Sequence, residues 1–180
     1  ERSFLNRLFG AETRFIGAVG EEERGAAMKA AAAELKRQGR TPYIVGDAVL
    51  GALGYVLAAF ELHEQSQREA TPLRHVFLAG SMGPTEAGFI FGNAMLGHPF
   101  QVHLVSGGWG VPTPESEAAI IAFARIEGFL FEHVYTAKTC AGFLDRVANG
   151  AIPSGEPACI LHTGGTASLF AQRGQFRTVN

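Results

Sequence analysis

The chain lacks any apolar run approaching the roughly 20 residues that span a bilayer, so no membrane partner is expected. Its opening Glu1-Arg2-Ser3 does not read as the start of a signal peptide. Cysteine is scarce: Cys140 and Cys159 are the only two, each in an apolar stretch and without metal-ligand spacing. That excludes a disulfide-stapled secreted scaffold and reads as free buried thiols in a reducing, cytoplasmic compartment. A large excess of one charge is absent too. A formal net charge of −2 gives no electrostatic ground for a nucleic-acid or acidic-lipid partner. The histidines, among them His63, His75, His98 and His103, show no ligand spacing, and no metal site is expected. Lysine is rare, limited to Lys29, Lys36 and Lys138, and Trp109 is the single tryptophan.

What is present suits a folded domain with a real core: 180 residues, 47% apolar and 18% charged. Helical and strand patterns alternate. Phe4 to Phe9 reads as a helix end closed by Gly10, Thr13 to Val19 as a strand, and Glu21 to Gln38 as an Ala-rich helix stopped by Gly39. Pro42 to Val45 reads as a short strand before a helix from about Gly51 to Gln67. Leu73 to Ala79 is an apolar strand, followed by a helix ending near Leu96 and a strand from Phe100 to Val105. Thr113-Pro114-Glu115 opens the next helix, with Thr as N-cap and Pro in the first turn. Lys138 to Ala148 is helical and Cys159 to His162 is the last strand. Short apolar strands separated by helices predict an α/β fold, a parallel sheet with helices on both faces.

In such a sheet, ligands bind at the C-terminal ends of strands, where loops enter helices. That rule selects the loops 46–51, 80–88, 106–113 and 162–168. Gly80-Ser81-Met82-Gly83-Pro84-Thr85 follows a strand and precedes a helix, so backbone N–H groups and the Ser81 and Thr85 hydroxyls can converge on a phosphate. A tight strand-to-helix turn explains the same glycines without a ligand. Pro84 removes one N–H, tolerably if it stands at the first helical position.

Several segments together resemble the D-cysteine desulfhydrase and 1-aminocyclopropane-1-carboxylate (ACC) deaminase family of fold-type-II pyridoxal phosphate (PLP) enzymes, which are tryptophan synthase beta-like. Tyr135-Thr136-Ala137-Lys138 and His162-Thr163-Gly164-Gly165 resemble the family's YTGK and HTGG pieces. AGSMGPTEAGFIFG resembles its phosphate cup with one extra residue, and Trp109-Gly110-Val111-Pro112-Thr113-Pro114-Glu115 its YGVPTPE turn. Gln38 to Tyr43 and Gly51 to Tyr55 resemble QGRxPY and LGxLGY, with Asp47 and Ala48 standing where Ser and Asn are usual. Phe4 to Glu12 resembles a segment lying well inside a full-length member.

The resemblance implies PLP as cofactor, held by Gly80, Ser81, Met82, Gly83, Thr85, Thr163 and Gly164. It implies Tyr135 as the catalytic tyrosine and Trp109 as a substrate-side wall where the family has a second tyrosine. Thr136 leans toward the desulfhydrase branch, since the deaminase branch carries glutamate there; Thr163 is the hydroxyl expected at the pyridine nitrogen. An indole can stack and donate one N–H but cannot shuttle a proton as a phenol does. His162, explained equally by a turn bonded to backbone, receives no role.

The resemblance also exposes an absence. The family's PLP lysine sits in an upstream GGNK-like motif that this sequence does not contain, near a QSNH-like motif for the substrate carboxylate. None of the three lysines follows a motif that would present it to PLP. Residues 1–40 then read as a remnant of the small domain and 41–180 as the C-terminal part of the large PLP-binding domain. The first functional expectation is the C-terminal part of a PLP-dependent lyase or deaminase releasing ammonia from a small amino acid. Its Schiff-base lysine would come from a separate N-terminal polypeptide, and completed units would pair as dimers. The alternative is a non-catalytic or divergent homologue that binds a partner or a phosphorylated ligand.

Overall fold

The computed structural model describes residues 2–70, 72–80 and 83–176. Two compact units divide at Asp47 and Ala48. The first holds α1 (Arg2–Leu8) and α2 (Glu21–Arg37). Gly10 ends the α1 segment with φ 70°, and Gly39 does the same after α2 at 77°. Gly20 caps α2, its N–H donating to Glu23 Oε2 at 3.0 Å, while Glu21, Glu22 and Glu23 complement the helix dipole. No residue of α2 is buried. The strands expected at Thr13–Val19 and Pro42–Val45 do not form. A strand exists only as a ladder partner, and no described segment pairs with either stretch.

The second unit runs α3 (Ala48–Arg68), β1 (His75–Ala79), α4 (Pro84–Met95), β2 (Gln101–Val105), α5 (Pro114–Ile126), α6 (Thr136–Ala148), β3 (Ala158–Ile160) and α7 (Thr166–Ala171). The strands form a parallel sheet in the order β2-β1-β3, with His75 opposite Gln101 and Ala158, and Ala79 opposite Val105. The central strand β1 is buried along its whole length.

Alternation along β1 divides the core. Val76 and Leu78 pack with Ala59 of α3, Phe89 of α4 and Phe100. Phe77 meets Phe143 of α6 edge-on at 5.4 Å, and beyond it Ala119 and Ile120 of α5 pack with Ala137 and Cys140 of α6. Helices thus cover both faces. Glycine lets α3 and α4 touch: a Cβ on Gly88 would lie 2.0 Å from the Ala52 carbonyl oxygen, and one on Gly92 2.7 Å from that of Val56. The buried Asn93 amide closes the α4–β2 turn, donating to Phe100 O at 2.9 Å and accepting from Phe100 N at 3.0 Å.

Candidate active site

Strands β1 and β2 end side by side, and the ladder runs one bond further: Gly80 N–H donates to Val105 O at 3.0 Å. Over these ends lies the first turn of α6. Tyr135 is its N-cap, and the Tyr135 hydroxyl accepts the Trp109 indole N–H at 3.0 Å. Trp109, 64% exposed, is carried on the glycine loop between β2 and α5. α5 starts where the sequence predicts: Thr113 Oγ1 accepts Ser116 N–H at 3.1 Å, Ser116 Oγ accepts Thr113 N–H at 2.9 Å, and Pro114 opens the helix. A cavity of about 20 Å³ lies among Ala79, Val105, Gly107, Trp109, Tyr135 and Lys138.

The sequence reading missed two residues here. Lys138, set aside for want of a presenting motif, is only 7% exposed, and its Nζ donates to Gly108 O. Burial pushes its amine below the ordinary lysine range, against the pull of the Glu132 charge. The second is Glu132. Its carboxylate is fully buried and accepts the N–H groups of Val134, Tyr135 and Thr136 at 2.6, 2.9 and 3.1 Å. A carboxylate that takes the free donors of a helix start is favoured there by the dipole. Thr136 Oγ1 in turn accepts Glu132 N–H at 3.0 Å, so that hydroxyl is committed to the turn.

Glu132 also reaches the turn after β3. A Cβ on Gly165 would fall 2.9 Å from its Cδ, and Ser168 Oγ, whose proton goes to Gly165 O at 2.6 Å, lies 3.4 Å from its Oε2. Gly164 and Gly165 have φ values of 100° and 88°, which only glycine adopts readily. His162 is a turn histidine: its Nδ1 accepts Gly164 N–H at 3.1 Å, and its Nε2 lies 3.3 Å from Leu130 O. The half-buried Thr163 hydroxyl has no hydrogen-bond partner among the described residues.

The remaining loop enters α4. Ser81 and Met82 lie outside the described residues. Pro84 takes the first helical position, where its missing N–H removes no helix bond, and Gly83 caps the helix with φ 93°. Gly83 N–H donates to Glu86 Oε1 at 2.9 Å, while the buried Glu86 Oε2 has no partner among the described residues. Tyr135 and Trp109 therefore meet directly, and Glu132, which accepts the Tyr135 N–H, packs against Gly165. Gly80 adjoins them through β2, but no hydrogen bond links Gly83 or Thr85 to that group among the described residues. Among the same residues there is no cluster of His, Cys, Asp or Glu able to hold a metal ion and no helix long and apolar enough to cross a membrane.

No protein-family model matches the chain. A D-cysteine desulfhydrase of Serratia proteamaculans is 30% identical over 210 positions, covering 93% of this chain and 63% of its own length. One of Salmonella paratyphi B is 27% identical, covering 91% of this chain and 62% of its own length. A crystal structure described as an ACC deaminase homologue superposes with a TM-score of 0.76 at 26% identity, over 95% of this chain and 64% of that one. Over nearly its whole length the chain is similar to D-cysteine desulfhydrases and to an ACC deaminase homologue. Its parallel sheet with helices on both faces agrees with the fold-type-II expectation. The chain spans less than two thirds of the length of the relatives it matches. It is also shorter within the match: 93% of 180 residues is about 167, so about 43 of the 210 positions shared with the Serratia protein face no residue here.

Proposed function

We propose that this chain is the C-terminal part of a PLP-dependent lyase or deaminase, of the D-cysteine desulfhydrase kind, that releases ammonia from a small amino acid. In this reading, residues 1–40 belong to the small domain and 41–180 to the large one. A separate N-terminal polypeptide brings the Schiff-base lysine, and completed units pair as dimers. The observation that carries it is the constellation at the sheet's C-terminal edge. Trp109 and Tyr135 share a 3.0 Å hydrogen bond, and the buried Glu132, which accepts the Tyr135 N–H, packs against Gly165 of the turn after β3. The exposed apolar residues of α3, namely Val49, Leu50, Leu53 and Leu57, support a covering polypeptide.

The residues present fit PLP at its ring. Thr163 offers a hydroxyl without a partner among the described residues, which suits a pyridine nitrogen. Gly164, beside Thr163, is a further proposed cofactor contact; at the phosphate, Gly80, Ser81, Met82, Gly83 and Thr85 are the proposed contacts, and Glu86 must first release the Gly83 N–H it now holds. Bound PLP supplies the electron sink that lets a bond at the substrate Cα break. The chain's own part is acid–base work and shape. Tyr135 accepts a hydrogen bond from Trp109, so its phenolic proton stays available to pass to or from a substrate. Trp109 walls the substrate side and adds no proton carrier.

A second reading, a non-catalytic homologue that binds a partner or phosphorylated ligand, is favoured by the Glu86 carboxylate standing on α4's first donor. The assay that separates the two is release of ammonia, with sulfide from cysteine, by the assembled protein supplied with PLP. Release that is abolished by Tyr135→Phe supports the enzyme. PLP binding with no release from any small amino acid supports the second reading. Trp109→Tyr in the assembled enzyme tests the wall, which predicts an altered substrate preference.

A further inference from the structure

Lys138 is a buried amine in the candidate site to which the proposed chemistry gives no task. It rises from the first turn of α6, just after the N-cap Tyr135, and its Nζ donates to Gly108 O. Its stem lies along the same loop: a Cβ on Gly107 would sit 3.6 Å from Lys138 Cδ. The loop it grips has little rigidity of its own. Gly107, Gly108 and Gly110 surround Trp109, with φ of 57° at Gly108 and 67° at Gly110. Its internal tie is a long one, Val111 N–H to Gly108 O at 3.4 Å. An indole exposed on such a loop would sample many orientations unless something held its backbone. Yet the indole N–H meets the Tyr135 hydroxyl at 3.0 Å.

We propose that Lys138 is a positioning residue: its bond to the Gly108 carbonyl holds the glycine loop so that the Trp109 indole N–H engages the Tyr135 hydroxyl. One turn of α6 then holds the loop at two points, Lys138 on the backbone and Tyr135 on the side chain. The buried amine keeps its hydrogen bond because the alternative is a desolvated polar group with no partner. Loss of the lysine bond frees the loop without unfolding it, since Val111 N–H remains on Gly108 O.

Trp109 makes the test direct, because a single tryptophan gives a single indole N–H resonance from the whole chain. The full 180-residue chain, without cofactor, is labelled with nitrogen-15, and the hydrogen exchange of that N–H is followed. Exchange in the wild type is expected to be slower than for free indole. In Lys138→Met it should speed up by at least about tenfold, as an ordered contact becomes an open one. Lys138→Arg, which still reaches a carbonyl, should restore protection. Tyr135→Phe, which removes the acceptor, should match Lys138→Met. Unchanged exchange in Lys138→Met overturns the proposal, and so does a wild-type indole that exchanges as fast as free indole. If Lys138→Met fails to fold, the wild-type rate and the Lys138→Arg variant decide. The readout needs neither PLP nor turnover, so its failure is distinct from failure of the proposed enzyme function.

Discussion

Gly165 lies so close over the Glu132 carboxylate that a Cβ there would come within 2.9 Å of its Cδ. The buried carboxylate is thereby pinned between two turns, one starting α6 and one following β3, and it gives both a common reference.

Alanine at Gly165 and at Gly164 should separate strain from crowding. Both have positive φ, a conformation that costs an alanine about 1–2 kcal/mol, but only Gly165 has Glu132 against it. Gly165→Ala should lose about 1–3 kcal/mol more than Gly164→Ala, the usual range for overpacking. Urea midpoints at constant slope measure the difference. Equal losses would mean that the turn moves away from Glu132 freely.

Glu86→Gln should tighten binding of inorganic phosphate to the chain. It replaces a carboxylate on the Gly83 N–H with a neutral group. Removing one negative charge within a few ångströms of a dianion is worth about tenfold in affinity. Calorimetric titration of wild type and variant reads the change. Identical affinities would place phosphate elsewhere or nowhere on this loop.

Acid should destabilise the fold through its depressed histidines. Burial pushes His103 below the ordinary histidine value, with His75 and Arg146 adding to the effect. Burial also lowers His133, with a smaller contribution from Lys138 and against the charges of Glu117 and Glu132. A depressed histidine means that the unfolded chain binds protons first. The stability is therefore fully present above the ordinary pKa of about 6.5 and is lost as pH falls through the lower folded values. His103 has a specific stake, since His75 Nδ1 lies 2.9 Å from its Nε2 and His75 Nε2 lies 3.4 Å from Glu156 Oε2. One proton between the two facing nitrogens holds the pair, and a second breaks it. Urea midpoints below neutrality should fall in the wild type and fall less steeply in His103→Gln.

Both thiols should resist modification in the folded protein. Burial pushes Cys140 up to about 12 and raises Cys159 as well. The thiolate is the reactive form, so a disulfide reagent at neutral pH should label neither until urea unfolds the chain. Rapid native labelling of Cys140 would mean that the α5–α6 packing opens readily.

Much of this was legible in the sequence, and the exceptions share a cause. Local chemistry located the Thr113–Pro114 helix start, the acidic first turn of α2 and the buried strand β1 almost to the residue. Thr13–Val19 and Pro42–Val45 carry strand-like residues, but a strand needs a neighbour that pattern cannot supply. Tyr135 and Trp109 were readable from their motifs, and the structure joins them. Glu132 and Lys138 were not, because their importance lies in burial and in partners distant along the chain: Gly165 for one and Gly108 for the other. Glu86 was hidden for the opposite reason. A glutamate in the first turn of a helix is ordinary, and only its grip on Gly83 N–H makes it a rival to a phosphate.

The central claim is half of a PLP site completed by a lysine from another polypeptide. Native mass spectrometry of the purified assembly, before and after borohydride reduction, tests it most directly. The account predicts a complex of this chain with a second polypeptide, and after reduction a PLP adduct fixed to a lysine of that second polypeptide. A chain that is stable alone, binds no second polypeptide and carries no adduct after reduction in the presence of PLP would contradict it.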